Sequence, residues 1–245
     1  MMKVKRNPFF ALLGNLGVIF CFTFWPILLV LRRIFFLPRY CEDWMTHSCA
    51  SWITKCLAIT PIIENREIYD PTEKAVIISN HSSLMDIPMI YMACSSRLRM
   101  IGKQELFWIP VMGWGMIASR HVPVKRNKRA SAAKAKELLA SRLNMGYQIY
   151  LAPEGTRSAK GCLLPFKSGA FRIAHEQGVP IYALGLYKPW ELLPKGKMLP
   201  PYKGEICAKF LGKIEPKSKN GHVKKPEELL KEARGLFLQN GFSEC

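Results

Sequence analysis

The distribution of apolar and polar positions separates the first sixty residues from the rest of the chain. Residues 9–31, FFALLGNLGVIFCFTFWPILLVL, contain no charged side chain, and basic residues flank this run on both sides. As a helix the run would be about 35 Å long, enough to cross the hydrocarbon core of a bilayer. Residues 44–59 mix tryptophans and isoleucines with His47 and Lys55, a pattern typical of an amphipathic helix that lies in the headgroup layer.

These two segments predict a membrane-anchoring unit over residues 1–60, either as a helical hairpin in one leaflet or with one true span. The alternative is a pair of buried core helices, in which case a helix that is apolar all round must be covered on every side. A cleaved signal peptide is disfavoured because no small-residue cleavage site follows the run.

After Pro61, short apolar runs alternate with longer segments of helical periodicity. The short runs predict strands at 62–69, 75–79, 99–102, 121–124, 147–152, 179–186 and 205–214. The longer segments predict helices at 86–94, 104–117 with a break at Pro110, 129–144, 168–177 and 226–239. Because several strands are continuously apolar, helices should cover both faces of the sheet, so residues 61–245 are predicted to form an α/β domain with a mixed sheet flanked by helices. Two segments rich in lysine and turn-forming residues, 193–205 and 215–228, are interpreted as solvated loops.

Composition and charge narrow the range of partners. The chain has 36 Lys and Arg against 18 Asp and Glu, a formal net charge of +18. Such an excess predicts attraction to anionic partners: nucleic acid, acidic lipid, phosphorylated substrates or an acidic carrier protein. The eight cysteines include no CxxC pair, so neither a zinc site nor a disulfide framework is indicated, and reduced thiols in a cytoplasm-facing protein are expected.

A polar turn with candidate chemistry follows the predicted strand at 75–79. In the segment VIISNHSSLMDIPMI, His81 comes directly after the apolar run and Asp86 lies five positions on, near the start of the next helix. A carboxylate folded back onto the imidazole Nδ1 would fix the ring tautomer and raise the basicity of Nε2. The alternative is a helix-capping aspartate beside an incidental histidine.

A second polar turn, in LAPEGTRS, follows the predicted strand at 147–152. Gly155 lets the backbone come close to a ligand, and Arg157 offers a planar fork suited to a phosphate. Lys167 returns near the start of the next predicted helix, an anion-friendly position. The alternative is an ion pair between Glu154 and Arg157 that only braces the turn.

Further cations follow other strands: Lys103 after residues 99–102 and Arg126 after residues 121–124. The chain has no G-x-S-x-G elbow, no Walker-type loop and no cysteine with a histidine motif beside it. These features argue against a covalent acyl-enzyme and against nucleotide hydrolysis. A base, a phosphate clamp and a membrane anchor suit transfer onto a hydroxyl of a phosphorylated lipid.

The two polar turns also carry a family resemblance. NHSSLMD resembles the NHx4D signature, and PEGTRS the EGTR signature, of glycerolipid acyltransferases of the 1-acylglycerol-3-phosphate acyltransferase type. The resemblance runs from about Pro61 to Leu186, and the N-terminal apolar helices are similar to that family's membrane-embedding motif. It implies the glycerolipid acyltransferase fold.

The resemblance also implies roles for individual residues. It makes His81 the general base and Asp86 the residue that orients it. It assigns Lys103, Arg126, Glu154, Gly155, Thr156 and Arg157 to the acceptor and its phosphate, and Lys167 joins them from its place near a predicted helix start. Val179 and Pro180 become part of the apolar wall for the acyl chain.

The function implied is a membrane-bound O-acyltransferase that moves a fatty acyl group from acyl-CoA or acyl-carrier protein to the sn-2 hydroxyl of lysophosphatidic acid, giving phosphatidic acid. No metal or tightly bound cofactor is implied. A sister enzyme acting on glycerol 3-phosphate, another lysophospholipid or a lyso-aminolipid is the alternative. A membrane-tethered binder of nucleic acid or acidic lipid would leave both signatures unexplained, so no nucleic-acid partner is expected. The short chain without organelle signals predicts a bacterial inner membrane, with the catalytic domain on the cytoplasmic side.

Overall fold

A mixed β-sheet lies at the centre of the molecule. The computed structural model describes residues 7–94, 97–125, 128–159, 161–197, 203–218 and 220–245. Within these ranges the sheet has seven strands: β1 (Ile59–Glu64), β2 (Val76–Ser79), β3 (Leu98–Lys103), β4 (Val122–Val124), β5 (Gln148–Leu151), β6 (Ile181–Tyr187) and β7 (Gly204–Ile214). The strand order is β1-β7-β6-β2-β5-β3-β4, and neighbouring strands are parallel except β6 and β7. The prediction of an α/β fold with a mixed sheet is confirmed.

Helices cover both faces of the sheet. They are α1 (Pro8–Ile34), α2 (Arg39–Cys56), α3 (Asp86–Ala93), α4 (Met112–Ala118), α5 (Arg129–Asn144), α6 (Gly169–Gln177), α7 (Pro189–Leu192) and α8 (Pro226–Gln239). Two short 3-10 helices are η1 (Arg66–Ile68) and η2 (Gln104–Trp108).

The sheet separates two hydrophobic cores. In β2, Ile77 points into a core shared with α1, α2 and α3, whereas Val76 and Ile78 point into a core shared with α5, α6 and α8. This alternation follows from the two-residue period of a strand, and it explains why β2 is apolar at successive positions. The N-terminal helices therefore pack directly on the sheet and share its first core.

The predicted elements differ from the observed ones mainly where the backbone turns sharply. The strand predicted at 62–69 is shorter and starts earlier, because Asn65 adopts a left-handed conformation with φ of 56° and η1 follows. The segment predicted as a helix at 104–117 forms the 3-10 helix η2 followed by α4, and the helical conformation is interrupted at Pro110 and Val111. Helices α5 and α8 coincide with their predicted ranges.

The helix α1 has the length and composition of a membrane helix. Among the described residues it alone meets both criteria, with a mean hydropathy of 2.0 in its most apolar window and 22% of that window buried. A helix in a soluble core is covered on every side, so this low burial does not fit the alternative of a buried core helix.

A buried ion network joins α1 and α2 to the sheet. Glu42 of α2 pairs with Arg32 of α1 at 3.0 Å and also with Arg99 of β3, and both Glu42 and Arg99 are fully buried. The Arg99 guanidinium lies 4.0 Å from the centroid of the Tyr147 ring. Removing one member of such a buried network leaves an uncompensated charge, so these contacts favour one placement of the N-terminal helices on the sheet.

The expectation that the thiols are reduced is wrong for Cys162 and Cys245, which form a disulfide. The C-terminal segment lies alongside residues 162–164, where the Leu163 N–H donates to the Ser243 carbonyl at 2.8 Å and the Cys245 N–H donates to the Leu163 carbonyl at 3.2 Å. The two cysteines are 83 positions apart, and only this tertiary pairing brings them together.

Candidate active site

The two polar turns lie side by side at the carboxyl edge of the parallel strands. His81 follows β2 and the segment 152–158 follows β5, and these strands are parallel neighbours with Ile78 opposite Leu151. Strand ends of this kind are where α/β sheets place ligand-binding loops. The candidate residues on both turns therefore belong to one region of the surface.

The structure brings His81 and Asp86 into contact. The Nδ1 atom of His81 lies 2.7 Å from Oδ2 of Asp86, and the same oxygen accepts the backbone N–H groups of Ser82 at 2.8 Å and Ser83 at 3.0 Å. Asp86 is the first residue of α3 and is fully buried, whereas 18% of the His81 side chain is exposed. Because the carboxylate only accepts, Nδ1 carries the proton and Nε2 of the neutral ring keeps its lone pair.

Glu154 connects the two turns through backbone hydrogen bonds. Its Oε1 accepts the His81 N–H at 2.8 Å and its Oε2 accepts the Leu164 N–H at 3.0 Å. Burial raises the pKa of this carboxyl, while the two N–H donors oppose that shift. Both oxygens are thus used on the backbone, which differs from the bracing ion pair with Arg157 that the sequence left open.

A second hydrogen bond holds the His81 turn from the same side. The Ser158 N–H donates to the His81 carbonyl at 2.8 Å. The main chain of His81 is therefore fixed at both its N–H and its carbonyl by the turn that follows β5. Its ring is fixed independently by Asp86.

Gly155 makes room for Lys167. Gly155 has φ of +71°, and a Cβ built on it would lie 2.9 Å from Nζ of Lys167, so any side chain at this position would compete with the lysine. The Lys167 N–H donates to the Pro153 carbonyl at 2.8 Å, which fixes the lysine backbone against the turn. The half-buried Thr156 and Arg157 follow directly, so Arg157 lies on this turn and Lys167 packs against it.

Three further contacts at this edge were not predicted from the sequence. The Asn80 side chain accepts the Leu186 N–H at 2.7 Å and donates to the Leu186 carbonyl at 2.9 Å, which extends the pairing of β2 with β6. Ser83 Oγ donates to the Leu193 carbonyl at 2.9 Å, and Lys195 Nζ donates to the Arg157 carbonyl at 2.8 Å.

The segment after α7 therefore touches both turns. A polar asparagine directly after a buried strand was a usable signal for Asn80. No local pattern marks Lys195, because its partner is 38 positions away.

The remaining predicted cations lie further from His81 or outside the described residues. Lys103 ends β3, which is separated from β2 by one strand, so the two strands are about 10 Å apart. Half of the Lys103 side chain is exposed, and its Nζ lies 3.4 Å from Glu105. Arg126 lies outside the described residues.

Val179 and Pro180 are not at this edge. They precede β6, which runs parallel to β2 with Val76 opposite Ile181, and the Val76 N–H donates to the Pro180 carbonyl. Both residues are buried at the amino edge of the sheet, and Val179 packs in the core shared with α6. Val179 and Pro180 precede their strand, whereas His81 follows its own. Because the two strands are parallel, the pair and His81 lie at opposite edges of the sheet.

Comparisons with known proteins agree with the motifs. The family model described as Acyltransferase matches residues 61–187. An uncharacterized acyltransferase of Schizosaccharomyces pombe is 35% identical over 161 residues, which is 64% of this chain and 57% of that protein. The 1-acyl-sn-glycerol-3-phosphate acyltransferase of Haemophilus influenzae is 31% identical over 159 residues, 63% of this chain and 66% of that protein. Across curated relatives that the chain matches, the matched part spans between 34% and 66% of their length.

A solved structure matches nearly the whole chain. The crystal structure of the 1-acyl-sn-glycerophosphate (LPA) acyltransferase PlsC from Thermotoga maritima superposes with a TM-score of 0.78 and 25% sequence identity, and the match covers 98% of each chain. The likeness thus extends over the N-terminal helices as well as the sheet.

Proposed function

The chain belongs to the acyltransferase family, and from this premise we propose that it transfers a fatty acyl group from an acyl thioester to the sn-2 hydroxyl of lysophosphatidic acid. The observation that carries the proposal is the His81–Asp86 pair, which Glu154 holds just after β2, where part of the His81 side chain is exposed. The products are phosphatidic acid and the free thiol of the donor. The thioester, acyl-CoA or acyl-carrier protein, is a co-substrate, and the reaction needs no metal or bound cofactor.

His81 acts as the general base in this proposal. Its Nε2 takes the proton from the acceptor hydroxyl as the hydroxyl oxygen attacks the thioester carbonyl, and Asp86 stabilises the imidazolium that forms. The C–S bond breaks as the tetrahedral intermediate collapses. The imidazolium then returns the proton to the leaving thiolate.

The cations beside the turn hold the acceptor phosphate. Arg157 supplies a planar fork for two phosphate oxygens, and Lys167 adds charge from the position next to Gly155. Glu154 acts by fixing the turn, and Thr156 completes the wall of the acceptor site. Lys103, at the end of β3, and Arg126 remain candidate contacts.

The acceptor reaches the site from a membrane. We propose that residues 1–60 anchor the protein to the lipid surface and that residues 61–245 form the catalytic domain, a division that the length and exposure of α1 support. Placement at a bacterial inner membrane, facing the cytoplasm, stays a prediction. Disulfides persist in oxidising compartments. A Cys162–Cys245 disulfide that is intact in protein isolated from cells would therefore argue against a catalytic domain that faces the cytoplasm.

An acceptor panel tests the proposed reaction. Purified protein in mixed micelles is given a labelled acyl thioester, as the CoA or the carrier-protein derivative, with lysophosphatidic acid, glycerol 3-phosphate or a lysophospholipid. Phosphatidic acid formed from lysophosphatidic acid at the highest kcat/KM is the expected result. A higher kcat/KM for another acceptor would assign the chain to a sister activity, and no acyl transfer with either donor would refute the proposal.

A further inference from the structure

A group of large apolar side chains is exposed on the segment formed by η2 and α4, outside the N-terminal helices. Trp108, Trp114 and Ile117 are 67%, 56% and 60% exposed, and Leu106 and Ile109 are also exposed. Single exposed apolar residues are common on soluble proteins, but a group that includes two tryptophans indicates a surface that contacts another protein or a membrane.

The segment lies directly against α1. A Cβ built on Gly115 would lie 2.6 Å from Cβ of Pro26, so the backbone of α4 meets α1 at this proline. Trp114 and Ile117 flank the contact on α4, and the exposed Ile27 flanks it on α1. The apolar surface of α4 therefore continues that of α1.

Basic residues border the same surface. Arg32 and Arg33 at the end of α1 and Arg120 just after α4 line one cavity of about 310 Å³, together with Phe36 and Leu37. Phe36 is 93% exposed beside these guanidinium groups. An apolar surface with tryptophans and an arginine border is the composition that fits the interface of a bilayer containing anionic lipid.

We propose that η2 and α4 form, with α1, a single lipid-facing surface, so that a segment of the catalytic domain itself enters the bilayer interface. Trp108 and Trp114 lie at the level of the headgroups and upper acyl chains, and Arg33 and Arg120 contact anionic headgroups. Because η2 begins directly after Lys103, this contact also brings the end of β3 to the lipid surface. The inference deepens the membrane part of the proposed function.

Quenching of tryptophan fluorescence by lipids is the deciding test, since α1 alone can keep the protein on vesicles. The chain has 6 tryptophans. Vesicles of phosphatidylcholine and phosphatidylglycerol, with bromine on the acyl chains, are compared with the same vesicles without bromine. Replacing both residues in Trp108→Phe/Trp114→Phe should lower the quenched fluorescence by about a third or more, because interfacial tryptophans are close to the bromine atoms. The matched control Trp190→Phe, on α7, should leave it unchanged.

Partitioning gives a second and independent measurement. Trp114→Ser/Ile117→Ser should weaken binding to the same vesicles by about tenfold or more, because each side chain loses burial in the lipid. The control Val223→Ser/Leu238→Ser removes two apolar residues of similar exposure elsewhere and should change binding by less than about twofold.

The outcomes distinguish contact with lipid from contact with a second copy of the chain, and they do not depend on the proposed reaction. Equal quenching in wild type and Trp108→Phe/Trp114→Phe would overturn the proposal, and so would equal binding losses in the two serine pairs. A loss of self-association in sedimentation equilibrium, without a change in quenching, would assign the surface to a second copy of the chain. Neither measurement depends on turnover, so a failure here is distinguishable from a failure of the proposed acyl transfer.

Discussion

The ring and the main chain of His81 are each fixed by hydrogen bonds, and the partners of the two are different residues. Asp86 orients the ring, while Glu154 and Ser158 fix the backbone N–H and carbonyl. The spacing of His81 and Asp86 allowed a contact between the two side chains but left a helix-capping aspartate as the alternative, and the family resemblance favoured the contact. The role of Glu154 as a clamp on the backbone was not predictable, because its partner at Leu164 is reached only through the path of the following loop.

Asp86→Asn should lower kcat and leave the fold intact. A neutral amide still accepts the backbone N–H groups of Ser82 and Ser83, but it stabilises an imidazolium much less than a carboxylate does. We expect a fall in kcat of about 10²–10⁴-fold, with a much smaller change in the KM for lysophosphatidic acid. Steady-state kinetics and circular dichroism measure both properties. An undiminished kcat would reduce Asp86 to a structural residue of the turn.

Arg157→Lys should chiefly raise the KM for the phosphorylated acceptor. A lysine keeps the charge but replaces a two-point contact by one, so we expect a rise of about tenfold with a smaller effect on kcat. The control is Arg172→Lys, an exposed arginine on α6, which should leave KM unchanged. If both variants keep the wild-type KM, the phosphate is bound by other residues.

His121 should make the stability of the protein depend on pH. Its Nδ1 accepts the Met100 N–H at 3.1 Å and its Nε2 lies 3.2 Å from the Tyr91 hydroxyl. Burial, with a further contribution from Arg99, lowers the pKa of His121 from 6.5 to about 3. The folded state therefore binds fewer protons than the unfolded state, so the stabilisation is complete above pH 6.5 and is lost progressively as the pH falls towards 3.

His121→Asn cannot titrate and should remove this dependence. The free energy of unfolding of the wild type should fall below pH 6.5 more steeply than that of the variant, by up to about 1.4 kcal/mol per pH unit. Urea denaturation at a series of pH values measures both slopes. Parallel curves for the two proteins would contradict the neutral state of His121 in the folded protein.

At the scale of secondary-structure elements, the sequence was most informative where apolar periodicity and a terminal signal agree. Helix α8 begins at Pro226, where proline is favoured in the first turn, and its apolar positions repeat with the period of a helix. The end of β1 was mispredicted because Asn65 turns the chain within the polar residues 64–67, which lie between two apolar pairs at 62–63 and 68–69. Val179 and Pro180 were assigned from a resemblance, which gives a role to a residue without saying at which end of the strand it lies.

The C-terminal segment was also beyond prediction, and its disulfide can be tested. Cys162→Ser/Cys245→Ser should lower the free energy of unfolding by about 2–4 kcal/mol, because the unfolded chain loses a long closed loop. Thiol reductant should bring the wild type to the same value, and Cys207→Ser, which removes a cysteine outside the disulfide, is the control. A wild type that unfolds at the same urea concentration with and without reductant would contradict a stabilising disulfide.

At the scale of the whole molecule, a parallel arrangement of strands brings two motifs that are distant in the sequence together at one edge of the sheet. The apolar strands were sufficient to predict the α/β class, and the two motifs were sufficient to indicate the family. What the sequence could not supply is the contact between segments that are far apart in the chain. Two examples are the hydrogen bond from Lys195 to the Arg157 carbonyl and the close approach of Gly115 to Pro26. Each depends on how helices and loops pack on the sheet.

In the proposed mechanism, His81 is the base for acyl transfer to lysophosphatidic acid. The most direct measurement is the rate of phosphatidic acid formation by His81→Ala beside the wild type, in mixed micelles with a labelled acyl thioester. The control is His222→Ala, an exposed histidine that pairs with Glu228 and lies outside the site. We predict a loss of about 10²–10⁴-fold or more for His81→Ala and a rate close to that of the wild type for His222→Ala. A His81→Ala variant that is folded and retains near-normal turnover would contradict the proposed mechanism.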